Sequence, residues 1–131
     1  MKRRPVILCV DDEWDWLEGH KMLLEERGYQ VLVATNGVEA LHFFTSHPVD
    51  VVLLDYHMPH MNGDVVADRM KAIHSGVPIA MLSADEELSD SALRSVDAFV
   101  SKGESPERLL EIVERLLDLR LLFAPLSALR N

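Results

Sequence analysis

Two apolar runs that stop abruptly at acids limit the fold more than any other feature of the chain. Val6-Ile7-Leu8-Cys9-Val10 ends at Asp11-Asp12, and Val49 to Leu54, interrupted only by Asp50, ends at Asp55. A segment of strand length that is apolar on both faces belongs in a parallel sheet covered on both sides. Tyr29 to Ala34, Val77 to Leu82 and Ala98 to Val100 read as three further strands. Helical spacing fills the intervals. Trp16, His20, Leu23, Leu24 and Arg27 form one stripe that stops at Gly28, and Val38 to Thr45 follows an Asn36-Gly37 turn. Gly63 to His74 is expected to turn Val65, Val66, Met70 and Ile73 inward, Leu88 to Val96 forms a fourth helix, and Pro106 to about Leu122 a fifth. Five strands alternating with five helices predict an α/β fold, a doubly wound five-stranded parallel sheet with helices on both faces.

With 131 residues, the chain is expected to hold one domain over 1–120, followed by an apolar tail or truncated linker over 121–131. Hydrophobic residues make up 48% and charged residues 27%, enough to bury a core and outside the disordered range. The net charge is −9 and the acidic residues are split evenly between the two halves of the chain, so no basic half offers a surface to nucleic acid, and direct nucleic-acid binding is not expected. Nothing after residue 105 reads as a DNA-binding helix-turn-helix. Val6 to Val10 is too short to cross a membrane, and a single cysteine, Cys9, fits a reducing, cytoplasmic compartment and a small buried apolar role.

In a doubly wound sheet, ligands sit outside the carboxyl ends of the strands. Those ends carry Asp11 and Asp12 after strand 1, Asp55 after strand 3, Ser83 after strand 4 and Lys102 after strand 5. Three carboxylates crowded into one pocket raise each other's pKa unless a cation intervenes, so the pattern implies a divalent ion. Oxygen ligands with room for water and a phosphate oxygen suit Mg²⁺ or Mn²⁺ better than zinc.

Taken together, Asp11-Asp12, the segment Leu53-Leu54-Asp55-Tyr56-His57-Met58-Pro59 with Asn62-Gly63, Ser83-Ala84, and Phe99 three residues before Lys102 resemble the receiver domain of two-component response regulators, over about residues 5–120. The resemblance implies a flavodoxin-like strand order 2-1-3-4-5, with Asp55 as phospho-acceptor. It implies that Asp12, Asp11, Asp55 and the backbone carbonyl of His57 hold the metal, that Lys102 and Ser83 contact the phosphoryl group, and that Ser83 and Phe99 act as the switch pair. A histidine kinase or histidine phosphotransfer protein would donate the group, and a downstream protein target would read the face made by helix 4, strand 5 and helix 5. Such a protein is a self-dephosphorylating switch and not a turnover enzyme.

Gly103 stands where the family usually carries proline after the lysine, which predicts a trans Lys102-Gly103 bond and a looser loop. His57 and Asp85, two residues beyond Asp55 and Ser83, are candidates for the pocket rim, where they would govern water access; Asp85-Glu86-Glu87 also reads as acids favouring a helix N-terminus. Trp14 and Trp16 point about 200° apart on a helix, which places Trp16 in the core and leaves Trp14 exposed near the acids. The histidines read as surface groups, because His57 and His60 lack zinc spacing. Leu109, Ile112, Val113, Leu116 and Leu117 supply the core stripe of the last helix, yet Leu119, Leu121, Leu122 and Phe123 continue around it. Residues 117–129 are therefore expected either to self-associate, giving a homodimer, or to dock on a partner, with folding back on the domain as the alternative. Two other functions remain open: a Mg²⁺-dependent phosphatase using a nucleophilic Asp, and a receiver-like module that binds partners without phosphorylation.

Overall fold

The apolar runs build the centre of the sheet. In the computed structural model, which describes residues 3–84 and 87–122, the elements run β1 (Val6–Val10), α1 (Trp14–Glu26), β2 (Gln30–Ala34), α2 (Gly37–Ser46), β3 (Val51–Asp55), α3 (Gly63–Ile73), β4 (Ile79–Ser83), α4 (Asp90–Leu93), β5 (Ala98–Ser101) and α5 (Pro106–Leu122). The strands are parallel in the order β2-β1-β3-β4-β5, as expected. Every residue of β1, β3 and β4 is buried, whereas the edge strands β2 and β5 are mostly half-buried. Alternate residues feed two cores. Val6, Leu8, Val10, Val52 and Leu54 pack with Phe44 of α2 and Val66 and Met70 of α3. Ile7, Cys9, Val51 and Leu53 pack with Leu17 and Leu24 of α1 and Leu109, Val113 and Leu116 of α5. Cys9 lies in the second core, and burial, reinforced by the charge of Asp11, pushes its thiol up to about 12.

Helix ends follow local chemistry. Gly28 adopts a φ of 89°, its N–H donates to Glu25 O, and the N–H of Tyr29 donates to Leu24 O, the paired bonds of a Schellman stop. The Asn36 side chain caps α2 by accepting from Glu39 N at 2.8 Å, while the Glu39 carboxylate accepts from Thr35 N at 3.0 Å.

Three expectations are corrected. In α3, Val65 and Ile73 are 39% and 52% exposed, and the buried stripe is Gly63, Val66, Ala67 and Met70. Val65 lies about 100° around the helix from Val66, and Ile73 is the last helical residue. In α1, Leu17 and Leu24 enter the core; Trp16 and His20 are half-buried and Arg27 is exposed. The helix expected over Leu88 to Val96 is only four residues long. Ser89 is its cap, accepting from Ala92 N, and Asp68 binds the side chains of Arg94 and Ser95 just beyond its end. Among the described residues no helix is long and apolar enough to cross a membrane. Leu121 and Leu122 are exposed at the end of α5, and the rest of the apolar segment, 123–129, lies outside the described residues.

Candidate functional site

Strand register brings the acids together. Val10 pairs with Leu54 and Asp55 with Leu82, so Asp11 and Asp55 leave neighbouring strands side by side. Backbone bonds lock both exits: Asp11 N donates to Ala34 O at 3.1 Å and Tyr56 N to Leu82 O at 2.9 Å. On the other flank Ser83 pairs with Ser101, and Lys102 N donates to Ser83 O at 2.9 Å, which aims the next side chain back over the acids. Lys102 Nζ lies 2.8 Å from Asp11 Oδ2 and 3.2 Å from Asp55 Oδ1, in a side chain only 8% exposed. Gly103 therefore leaves the lysine in place, and no cis peptide bond occurs among the described residues, so Lys102-Gly103 is trans as expected.

Asp11 and Asp55 are buried and Asp12 is exposed. One carboxylate oxygen from each of the three lies within 4.8 Å of the others. Burial pushes the Asp55 carboxyl up to about 6; the charges of Asp11 and Asp12 push the same way, against the opposing charge and hydrogen bond of Lys102. Burial alone would lower the Lys102 ammonium, but its hydrogen bonds and charge pairing with Asp11 and Asp55 outweigh that and hold its pKa above the usual lysine value. Three carboxylates against one ammonium leave two negative charges uncompensated. An all-oxygen donor set with that residual charge fits one hard divalent cation such as Mg²⁺.

The other expected residues fall as follows. Ser83, the last residue of β4, is fully buried. Phe99 is half-buried and packs against the first core, as do Leu88, Leu93 and Val96. His57 is exposed, its ring 4.9 Å from that of Tyr56. Trp14 is 53% exposed and lines a depression with Leu17, Met22 and Val33. Asp85 lies outside the described residues.

Two residues act here in ways the sequence did not announce. The Trp16 ring sits 5.1 Å from Lys102 Nζ, a cation-π contact that supports the lysine from the α1 side. Gly63 lies so close to β3 that a Cβ there would collide with the backbone carbonyl of Asp55 and the sulfur of Met81. The Asn62-Gly63 pair was visible as a motif, but its reason is this close approach.

A doubly wound domain whose carboxyl edge gathers three carboxylates and a lysine defines a class of cation- and phosphate-handling modules. The family model for the response regulator receiver domain matches residues 7–114, and the chain belongs to that family. It is 35% identical over 119 residues to a probable transcriptional regulator, ycf27, of Cyanidium caldarium, covering 88% of this chain and 47% of that one. It is 31% identical over 128 residues to the alkaline phosphatase synthesis transcriptional regulatory protein PhoP of Bacillus subtilis, covering 95% and 53%. The chain thus spans about half the length of these curated relatives. Among solved structures, a CheY-like receiver domain protein from Methanospirillum hungatei superposes with a TM-score of 0.89 at 27% identity, covering 93% of this chain and all of that one. The response regulator TrrA of Thermotoga maritima, in complex with Mg²⁺-BeF, does so at 0.82 and 37%, covering 86% and 99%.

Proposed function

We propose that this chain is a phosphorylation-dependent signalling switch in which Asp55 accepts a phosphoryl group from a histidine kinase or histidine phosphotransfer protein. The observation that carries this reading is the Asp55 carboxylate itself, buried, 3.2 Å from Lys102 Nζ and clustered with Asp11 and Asp12. In the transfer, an Asp55 oxygen forms a bond to phosphorus as the bond from phosphorus to the donor's imidazole nitrogen breaks, and the donor nitrogen keeps the electron pair. Asp11, Asp12, Asp55 and the backbone carbonyl of His57 would hold Mg²⁺ or Mn²⁺, which supplies charge neutralisation between nucleophile and phosphoryl oxygens. Lys102, released from Asp55 Oδ1, meets one phosphoryl oxygen as a point charge, and the Ser83 hydroxyl donates to another.

Ser83 moving toward the phosphoryl group would vacate space on the α4 side of β5, into which Phe99 turns. The face of α4, β5 and α5 then changes for a downstream protein target or a second copy of the chain. His57 and Asp85 at the rim would set water access and so the rate of autodephosphorylation. The domain proper is read as residues 1–120, with 121–131 as a tail or linker and 117–129 as a contact segment. The role is that of a cytoplasmic switch acting through protein contacts, with no direct nucleic-acid or membrane contact. Lys102 held on both acids despite Gly103 favours this reading over a partner-binding module without phosphorylation.

Incubation with acetyl phosphate and Mg²⁺, read by intact mass, tests the assignment. Wild type is expected to gain one base-labile phosphoryl group and Asp55→Asn none; modification of the variant, or of neither protein, overturns it.

A further inference from the structure

Beside Lys102, α1 and the β5–α5 connection line a half-open cavity of about 480 Å³. That volume falls among sites for drug-sized molecules, roughly 300–1,000 Å³. Its apolar wall is Leu23, Leu82, Val100 and Leu109, with the half-buried Trp16 indole along one side. Trp16, Gly19, His20 and Leu23 all line it from α1, at positions i, i+3, i+4 and i+7 of one helical face. The aromatic stripe of α1 thus faces empty space, while Leu17 and Leu24 beside it face the core.

Gly19 is the second observation. It lies in the middle of α1, where glycine is among the least favourable residues. A Cβ at this position would meet no neighbouring heavy atom within 4 Å, and no positive φ demands glycine there. Gly19 is exposed and borders the cavity, so neither packing nor backbone explains it, and a longer side chain there would start from the cavity's own lining.

We propose that this cavity is a binding site for an uncharged or singly cationic aromatic small molecule, seated against Trp16 and over Gly19. The exposed carboxylates among its lining residues, Asp15 and Glu104, favour that charge, and the net charge of −9 opposes an anion. The one lining ammonium, Lys102, is already committed to Asp11 and Asp55. Burial, aided by Lys102 and opposed by Asp11, lowers the pKa of His20, so its neutral ring offers one donor and one acceptor to a ligand. Because Lys102 lines the cavity and bonds Asp55, an occupant would lie beside the residue that holds the acidic corner. The site itself does not depend on Asp55 accepting a phosphoryl group.

The unphosphorylated full chain is titrated with N-phenyl-1-naphthylamine, an uncharged dye that brightens in apolar surroundings, and with 8-anilino-1-naphthalenesulfonate, the same ring skeleton carrying an anion. The uncharged dye is expected to bind saturably and one to one, with the sulfonate at least about tenfold weaker. Gly19→Leu fills the space and is expected to weaken the uncharged dye at least about tenfold, with circular dichroism and Tm at or above wild type; Gly19→Ala keeps binding. Amide shifts on the wild type, followed by NMR, should concentrate at 16–23 and 100–109, a readout that holds even if a variant fails to fold. Non-saturable binding, equal affinity in Gly19→Leu, equal affinity for the sulfonate, or shifts centred elsewhere would overturn the proposal.

Discussion

On one side of β4 sits Asp55, and on the other the α4–β5 corner, and the two are held by different means. Asp55 and Asp11 extend fully buried strands and are fixed by backbone bonds to the neighbouring strands. The α4 corner rests on a four-residue helix, one serine cap at 3.1 Å and the exposed Arg94–Asp68 pair at 2.8 Å. Exposed pairs of that kind contribute little to global stability. Strain placed on the Asp55 side has nowhere to go within the sheet, while the α4 side is free to rearrange at small cost. The proposed switch would use that division between a rigid chemical centre and a more loosely held corner.

The largest effect that would sharpen the contrast is expected at Lys102. Lys102→Met strands two buried carboxylates and should cost about 3 kcal/mol in denaturant unfolding without divalent cations, recovered in part by added Mg²⁺. A loss below about 1 kcal/mol would mean that the acidic corner is not held electrostatically, and the comparison would break.

Asp55→Asn should act in the opposite direction. The Asp55 carboxyl is raised from 3.8 to about 6 in the fold, so folding favours its protonated form. Its contribution is then fully present below pH about 4 and is lost as pH rises through 6. The asparagine variant should match wild type near pH 4 and exceed it by on the order of 2–3 kcal/mol at pH 7.5 in chelator. A constant difference across that range, measured by urea midpoints, would remove the buried charge from the account.

The smallest effects belong to the α4 corner. Ser89→Ala removes a cap and should cost about 1 kcal/mol, expressed as faster amide exchange at 90–93. Arg94→Ala should speed exchange in the same segment while leaving the denaturant midpoint unchanged. If either variant slowed exchange there or moved the whole unfolding transition, the corner would be part of the rigid unit after all.

The strands, their order and the acids at their ends were legible because burial on both faces leaves an unbroken apolar run and because ligands collect where such runs stop. The helices were less so. Trp16, His20 and Leu23 recur at core spacing, but spacing reports a shared face and not what lies opposite it. In this molecule the opposite side is a cavity, and Leu17 one step around carries the core. Val65 failed for the same reason of azimuth, and α4 proved short because it begins only after the Ser89 cap and ends at Leu93. The close approach of Gly63 to Asp55 was visible only as a motif without its reason, and the contact of Trp16 with Lys102 joins segments far apart in the chain, which no local pattern encodes.

Cys9 gives the molecule a built-in stopwatch. Its thiol is the only one in the chain, sits two residues before Asp11, and burial holds it at about 12. An alkylating reagent meets a thiolate there only when β1 parts from its neighbours. The rate at which such a reagent adds a single label therefore times the opening of the strand that carries the acidic corner, without any engineered probe, and a cation seated on Asp11 should slow that clock.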